Sequence, residues 1–321
     1  MKKLLPLKSP KRKSGNRQKD PMNFTSYDNE SIWYTLWEAQ SPKAVIEIFT
    51  GLAETADYYE EMAKYLNQAG FSVALHEYRQ HGRTRASYGD GNLFRNYALD
   101  GAQLCSMLRA SRPDLPVVLF AHSLGTTVSQ IAIYEKMEKW DGVIYTGPSC
   151  KVMPPERKKR LLPLAENSIS KYGEDSQNLM LYPEVFARLN APFAAEKSPY
   201  SFITSDRSKW KWIARLPFKG PDYSNRFFRD FILLQADLAT KETLENIVPP
   251  LADTPILLLT GSNDVTAANG TYGDTKAKLL LEAGYRDVTS IIYPGLRHSV
   301  LQEKARMKVL EDIAQWLKKR F

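Results

Sequence analysis

The chain has 321 residues, of which 43% are hydrophobic and 25% are charged, and its formal net charge is +8. This composition is typical of a folded globular protein and argues against a wholly disordered chain. No run approaches the roughly 18 consecutive apolar residues of a membrane-spanning helix, so we expect none.

The N-terminal segment carries nearly all of the net charge. Residues 1–20 hold eight basic side chains against one acidic, a net of +7, which leaves +1 for the rest of the chain. We predict that residues 1–24 form a basic, disordered tail, either purely solvated or in transient contact with an anionic membrane. We find no secretory signal here, and Cys105 and Cys150 are too few for a disulfide framework. These features predict a cytoplasmic protein and give no basis for nucleic-acid binding.

Along the chain, short apolar runs rich in β-branched residues alternate with amphipathic segments. The predicted strands are 44–49, 71–75, 116–121, 142–146, 255–260 and 288–293, and the predicted helices are 57–69, 94–111, 125–140, 274–283 and 302–319. This alternation predicts an α/β fold with a doubly wound, mostly parallel sheet. Residues 32–37 are predicted to add an antiparallel edge strand.

The alternation stops between about residues 154 and 249, over a span far longer than the roughly 4–6 residues of an ordinary loop. We therefore predict a core of residues 25–149 and 250–321, with residues 150–249 inserted as a mainly helical cap. Within the cap, residues 209–219 interleave aromatic and basic side chains. Such a segment either docks at an anionic lipid surface or packs its aromatic face inward as a lid helix.

Residues 116–125 read as a buried strand that leads straight into a helix, with Ser123 at the junction. The small residues Ala121 and Gly125 flank the serine, as in the G-x-S-x-G turn that lifts a nucleophilic hydroxyl into a cleft. A helix N-terminus also stabilises developing negative charge. The alternative is a serine that only caps the helix.

A nucleophilic serine needs a base, and the chain offers four histidines. His122 neighbours the serine and is expected to point away from the cleft, and His76 ends a buried strand, so both are interpreted as packing residues. His81 lies in a turn after that strand. His298 follows the last predicted strand on a Pro-Gly loop, where catalytic side chains are commonly presented, and is the predicted base.

The acid that orients the base is predicted to be Asp264, which follows the strand at 255–260. Asp253 precedes that strand and would lie at the wrong edge, because sites in open α/β sheets form at the carboxyl ends of the strands. The order Ser123, Asp264, His298 is the one that the α/β-hydrolase fold uses.

Two backbone N–H groups are needed to hold the oxyanion of a tetrahedral intermediate. Leu124, directly after the nucleophile, supplies the first, and Leu52, in the turn after the strand at 44–49, is the candidate for the second.

With these residues assigned, the chain resembles the monoacylglycerol lipase and lysophospholipase branch of the α/β-hydrolases, which is often grouped with the serine aminopeptidases. The family's elbow reads G-H-S-M-G-G, and residues 121–126 read A-H-S-L-G-T. Its oxyanion turn reads H-G-x-G-E-H, and residues 50–55 read T-G-L-A-E-T. The later G-x-x-D and Y-P-G-x-x-H motifs match residues 261–264 and 293–298. The departures are Thr50, Ala121 and Thr126, which put substrate preference and turnover in question.

The resemblance implies a lipid ester substrate with one acyl chain, a monoacylglycerol or a lysophospholipid, cleaved through an acyl-enzyme with no metal or organic cofactor. An aminopeptidase of the proline iminopeptidase type would use the same triad with acidic cap residues to hold the substrate's ammonium group. The candidates for those are Glu156, Glu166, Glu174 and Asp175. A catalytically weak binding protein with this fold is the third hypothesis.

Overall fold

The structure, a computed structural model, describes residues 22–149, 153–216, 223–234, 238, 242, 244, 246 and 251–321. Among these residues the strands form one eight-stranded sheet in the order β1-β2-β4-β3-β5-β6-β7-β8. The strands are β1 Met22–Thr25, β2 Ser31–Trp37, β3 Ala44–Phe49, β4 Phe71–His76, β5 Val117–His122, β6 Gly142–Thr146, β7 Ile256–Gly261 and β8 Val288–Tyr293. Strands β1 and β2 run antiparallel to their neighbours, and the other six strands are parallel to one another.

The helices lie on both faces of the sheet, and further helices come between β6 and β7. They are α1 Ala56–Gln68, α2 Leu93–Ser111, α3 Leu124–Tyr134, α4 Pro155–Tyr172, α5 Leu181–Phe186, α6 Arg207–Ile213, α7 Asn225–Leu233, α8 Thr271–Glu282 and α9 Arg306–Lys318. A 3-10 segment at Ala187–Glu196 follows α5. None of the helices in the described part of the chain combines the length and apolar character needed to cross a membrane.

The central strand β3 shows why a parallel sheet forms here. All six of its residues are buried, and successive side chains point to opposite faces. Val45 and Phe49 pack with residues of α2, α3 and α8, whereas Ile46 and Ile48 pack with residues of α1 and α9. Burying one such aliphatic side chain contributes about 1.5–3 kcal/mol, so a strand that is apolar on both faces is stable only between two helical layers.

The predicted fold class is confirmed, with several differences in detail. Strand β1 begins at Met22, so the folded part starts before residue 25, inside the predicted tail. Because β1 pairs with β2, strand β2 is antiparallel as predicted but is second from the edge. Helix α3 ends at Tyr134, six residues before the predicted end, and the chain turns at Lys136, whose φ is 55°. Helix α9 begins four residues later than predicted.

Candidate active site

Ser123 lies at the sharp turn between β5 and α3. Its φ of 51° and ψ of −120° are in a sparsely populated region of backbone space, which costs on the order of 1–3 kcal/mol for a residue with a side chain. Three hydrogen bonds hold the turn: Ser123 N–H donates to the Thr146 carbonyl at 3.1 Å, and the N–H and hydroxyl of Thr126 donate to the Ser123 carbonyl at 2.9 Å and 2.7 Å. Thr126, a departure from the family motif, therefore supports the turn.

The turn presses closely against the end of β3. A Cβ on Gly125 would lie 2.1 Å from the Phe49 carbonyl oxygen, so no side chain fits at this position unless the backbone moves. Ala121 is fully buried in β5 and pairs with Phe49. The extra methyl group of Ala121 is accommodated, whereas a methyl group at Gly125 is not.

The structure brings the predicted nucleophile, base and acid together. His298 Nε2 lies 2.8 Å from Ser123 Oγ, and His298 Nδ1 lies 3.1 Å and 3.2 Å from the two carboxylate oxygens of Asp264. In the neutral ring, Nδ1–H donates to the carboxylate and Nε2 accepts the serine proton. Asp264 is fully buried and His298 is 4% exposed. These distances are within hydrogen-bond reach, as activation of a serine hydroxyl requires.

Burial and pairing have opposite effects on the two titratable groups. Burial disfavours the ionised form of Asp264, but the charge of His298 and hydrogen bonds from His298 and Thr266 outweigh burial and lower the pKa of Asp264. Burial also disfavours the protonated ring of His298, and the Asp264 carboxylate outweighs it and raises the pKa of His298. The carboxylate therefore stays ionised and supports a positive charge on the ring.

Thr266 is a site residue that the sequence reasoning missed. Its backbone N–H and its hydroxyl both donate to Asp264 Oδ1 at 2.8 Å, and the hydroxyl oxygen lies 2.9 Å from His298 Nδ1. Thr266 therefore fixes the orientation of the carboxylate towards the ring. Its position two residues after the acid was a signal, because a threonine side chain there can form hydrogen bonds within the same loop.

The turn after β3 lies beside the elbow because β3 and β5 are neighbouring strands, with Phe49 opposite Ala121. Leu52 is half-buried in this turn, and Leu124 is the first residue of α3. The structure thus brings both predicted N–H donors to the end of the sheet that carries Ser123. The role of the two groups in binding an oxyanion stays a prediction.

Glu54 is a second residue that was missed, although the glutamate of the family turn was a signal for it. Glu54 Oε2 accepts hydrogen bonds from the Gly51 N–H at 2.8 Å and from the Tyr59 hydroxyl. Burial raises the pKa of Glu54 to about 7, against the effect of these two hydrogen bonds. The carboxyl group ties the turn after β3 to α1.

His122 does not point away from the site as expected. Its ring centroid lies 5.0 Å from that of His298, and its Nε2 lies 3.6 Å from Glu54 Oε1. Its Nδ1 contacts the carbonyl and the hydroxyl of Thr146. Burial, together with the charge of His298, lowers the pKa of His122 to about 3, so this ring stays neutral beside the base.

The remaining candidates lie elsewhere or are already paired. His76 and His81 are fully buried and pack edge-on against Tyr78. Asp253, exposed before β7, forms an ion pair with Arg286.

Two of the four acidic cap residues form ion pairs with arginines, and the other two are exposed to solvent. Glu174 pairs with Arg226 and Arg229, and Asp175 pairs with Arg226. Glu156 and Glu166 are exposed.

The two tryptophans of α6 are both partly buried. Trp212 stacks on Tyr58 with ring centroids 5.9 Å apart, and Trp210 Nε1–H donates to the Thr204 carbonyl at 3.1 Å. Lys211, between them, is exposed. Residues 217–219 of the predicted segment, Cys150, and residues 1–21 of the tail lie outside the described residues.

Comparison with known proteins places these observations in a wider group. The model of the family described as serine aminopeptidase, S33, matches residues 40–305. Monoglyceride lipase of Rattus norvegicus is 25% identical, over 97% of this chain and 95% of the relative. Lysophospholipase L2 of Escherichia coli (strain K12) is 27% identical, over 47% of this chain and 46% of the relative. The crystal structure of a thermostable carboxyl esterase from Bacillus coagulans has a TM-score of 0.82 at 23% identity and covers 95% of this chain and 99% of that chain.

Proposed function

Since the chain belongs to the serine aminopeptidase S33 family of α/β-hydrolases, we propose that it is a serine hydrolase that cleaves carboxylic esters of single-acyl lipids, either monoacylglycerols or lysophospholipids. The observation that carries this proposal is the continuous chain of contacts from Ser123 Oγ through His298 to Asp264. A serine hydroxyl at 2.8 Å from an imidazole that is itself held by a buried carboxylate is the arrangement needed for nucleophilic attack on an acyl carbon.

In the proposed mechanism, Ser123 Oγ attacks the ester carbonyl while His298 Nε2 takes its proton. The oxyanion that forms is bound by the N–H groups of Leu52 and Leu124, the latter at the positive end of α3. Collapse of this intermediate breaks the ester bond, and His298 returns the proton to the leaving alcohol. Water, deprotonated by the same ring, then attacks the acyl-enzyme, and as the second intermediate collapses the ring returns this proton to Ser123 Oγ and the carboxylic acid is released.

An ester is favoured over a peptide N-terminus by the surroundings of the base. The ring of Phe202 lies against His298 with centroids 5.7 Å apart, so an apolar surface adjoins the reacting atoms. Of the four acidic cap residues that could bind a substrate ammonium group, Glu174 and Asp175 are bound to arginines of α7, and Glu156 and Glu166 are exposed. The names of the relatives, a monoglyceride lipase and a lysophospholipase, support the same class of substrate.

We further propose that residues 150–249 act as a cap on a core formed by residues 22–149 and 250–321. Helices α4–α7 come between β6 and β7 in the chain, and the segment before α6 hydrogen-bonds to the loop that carries His298. A cytoplasmic location, with transient contact of the basic tail at an anionic membrane, remains our prediction for the intact protein.

The test is hydrolysis of three substrate types by the wild type and by Ser123→Ala. Monoacylglycerols and lysophosphatidylcholines of graded chain length represent the proposal, and a prolyl amide represents the aminopeptidase. We expect fatty acid release by the wild type and a loss of at least about 10³-fold in the variant. Cleavage of the prolyl amide alone would support the aminopeptidase, and no turnover by folded wild type would support the binding protein.

A further inference from the structure

A segment before α6 is fastened to the loop that carries the candidate base. His298 N–H donates to the Phe202 carbonyl at 3.3 Å, and Ser299 N–H donates to the Ile203 carbonyl at 2.8 Å. The Thr204 hydroxyl donates to the Gln302 carbonyl at 3.1 Å. The backbone of His298 is therefore held by chain that is distant in sequence and lies outside the sheet.

Arg297, directly before the base, makes the strongest contacts across this junction. Its Nη1 and Nη2 donate to the two carboxylate oxygens of Glu196 at 2.7 Å and 2.8 Å. Nη1 also donates to the Ser201 carbonyl at 2.6 Å, and the guanidinium lies 4.0 Å from the centroid of the Phe193 ring. A bidentate pair of this kind is directional, so it fixes an orientation as well as a distance.

Glu303 closes the junction at its other end. Glu303 Oε1 accepts hydrogen bonds from the Arg297 N–H at 3.0 Å and from the Ser205 N–H at 2.9 Å, and Oε2 accepts one from the Ser205 hydroxyl at 2.6 Å. Glu303 is 1% exposed. We call Glu196, Arg297, Glu303 and Ser205 the clasp.

The clasp includes Arg297, the residue directly before the base, whose side chain and N–H are bound to Glu196, Ser201 and Glu303. By holding residues 201–205 against the loop after β8, it sets both the backbone of His298 and the ring of Phe202, which lies against the imidazole. An error of about 1 Å in the placement of a reacting group can reduce a rate by 10²-fold. The ion pair between Glu196 and Arg297 is therefore in a place where it can fix the position of His298.

We propose that Glu196 and Arg297 are positioning residues, whose ion pair joins the segment before α6 to the loop of His298 so that the two move as one unit. This inference rests on the proposed function, because the positioned group is the proposed base. The pair acts through His298 and through the Phe202 ring, and it contacts neither substrate nor nucleophile.

The first test is hydrogen exchange of the peptide that contains the His298 and Ser299 amides. In Glu196→Gln, which keeps shape and removes charge, we expect these amides to exchange about tenfold faster, because the clasp opens locally. The matched control is Asp287→Asn, which breaks another bidentate pair, with Arg320, away from the site. Unchanged exchange in Glu196→Gln would overturn the inference, whatever the protein's activity.

The second test is kinetic and follows a double-mutant cycle. We expect Glu196→Gln and Arg297→Gln each to lower kcat roughly tenfold with KM changed less than about twofold, and the double variant to be no slower than the single variants. Asp287→Asn should keep the kcat of the wild type. If Glu196→Gln loses as much thermal stability as the control but keeps a kcat within twofold of the wild type, the pair is only a structural contact and the inference is wrong. Failure of the proposed function would give a different result. The wild type would then cleave no ester, although its His298 and Ser299 amides would still exchange slowly.

Discussion

Replacement of Gly125 by alanine is the sharpest mutational test of the elbow geometry. The added Cβ would lie 2.1 Å from the Phe49 carbonyl oxygen, 2.6 Å from the Phe49 carbonyl carbon and 2.7 Å from the Thr50 carbonyl oxygen. Close carbon–oxygen contacts are normally about 3.3–3.6 Å, so the two chain segments must separate by roughly 1 Å. The obstructing atoms are backbone, and no side-chain rotation can relieve them.

Two effects follow from this separation. Overpacking of a close contact costs about 1–3 kcal/mol of unfolding free energy. The two N–H groups proposed for the oxyanion, on Leu52 and Leu124, lie on the two segments that move apart. Loss of one such donor lowers kcat by about 10²–10³-fold. We therefore expect Gly125→Ala to remain folded but to lose at least about 10²-fold in kcat.

The assay combines urea denaturation with ester hydrolysis, and Gly273→Ala is the matched control. Gly273 also lies in the first turn of a helix, α8, but its nearest neighbours are the Thr260 and Ser290 hydroxyls at 3.0 Å and 3.1 Å. These side-chain atoms need to move by only a few tenths of an ångström, so the control should keep kcat within about twofold, with a change in stability below about 1 kcal/mol. A Gly125→Ala protein as active and as stable as wild type would refute the reasoning.

Three further predictions concern charge and orientation. Asp264→Asn should lower kcat by about 10³–10⁴-fold, and the acid limb of its kcat/KM profile should move to lower pH, because the carboxylate raises the pKa of His298; an unmoved limb would contradict this. Thr266→Val, which removes the hydroxyl beside Asp264, should lower kcat about tenfold at unchanged KM, and steady-state kinetics that show no loss would exclude the orienting role. Burial raises the pKa of Glu47 from 4.5 to about 8, so the folded state keeps a proton that the unfolded state releases, and the free energy of unfolding should fall as pH rises through that window. Glu47→Gln should remove this fall. If urea denaturation gives the same difference in unfolding free energy between variant and wild type at pH 5 and at pH 9, the prediction is wrong.

The strands of the sheet could be predicted to within one residue wherever burial on both faces makes them predominantly apolar. Strand β3 and strand β6 have the predicted bounds, and β7 is displaced by one residue. Strand β1 could not be predicted, because four residues with one buried side chain carry no periodic signal.

Helix ends were predicted less well, since apolar spacing continues into chain that is buried but not helical. Trp140 fits the helical spacing of α3, yet it lies beyond the end of the helix, where it packs edge-on against Phe49 and donates to Glu47. Gln302, where the last predicted helix begins, is likewise buried but lies in a 3-10 turn, and α9 begins four residues later. The spacing of apolar residues indicates which residues are buried, and in these two places the buried residues extend beyond the end of the helix.

The candidate site shows the same division between local and long-range information. Ser123, Asp264 and His298 were assigned because each follows a recognisable strand and the fold fixes their order. His122 was misjudged because alternation along β5 does not reveal that the loop after β8 returns over it. The clasp joins residues about 100 positions apart, such as Glu196 and Arg297, and no sequence pattern marks such a pair.

The central claim is that Ser123 is an activated nucleophile, and covalent labelling tests it most directly. Wild type and Ser123→Ala are treated with a fluorophosphonate, and the modified peptide is identified by mass spectrometry. The account predicts one adduct, on Ser123, which forms more slowly as pH falls below the pKa of His298 and is absent from the variant. A folded wild type that takes up no label, or a variant that is labelled as fast as wild type, would contradict it.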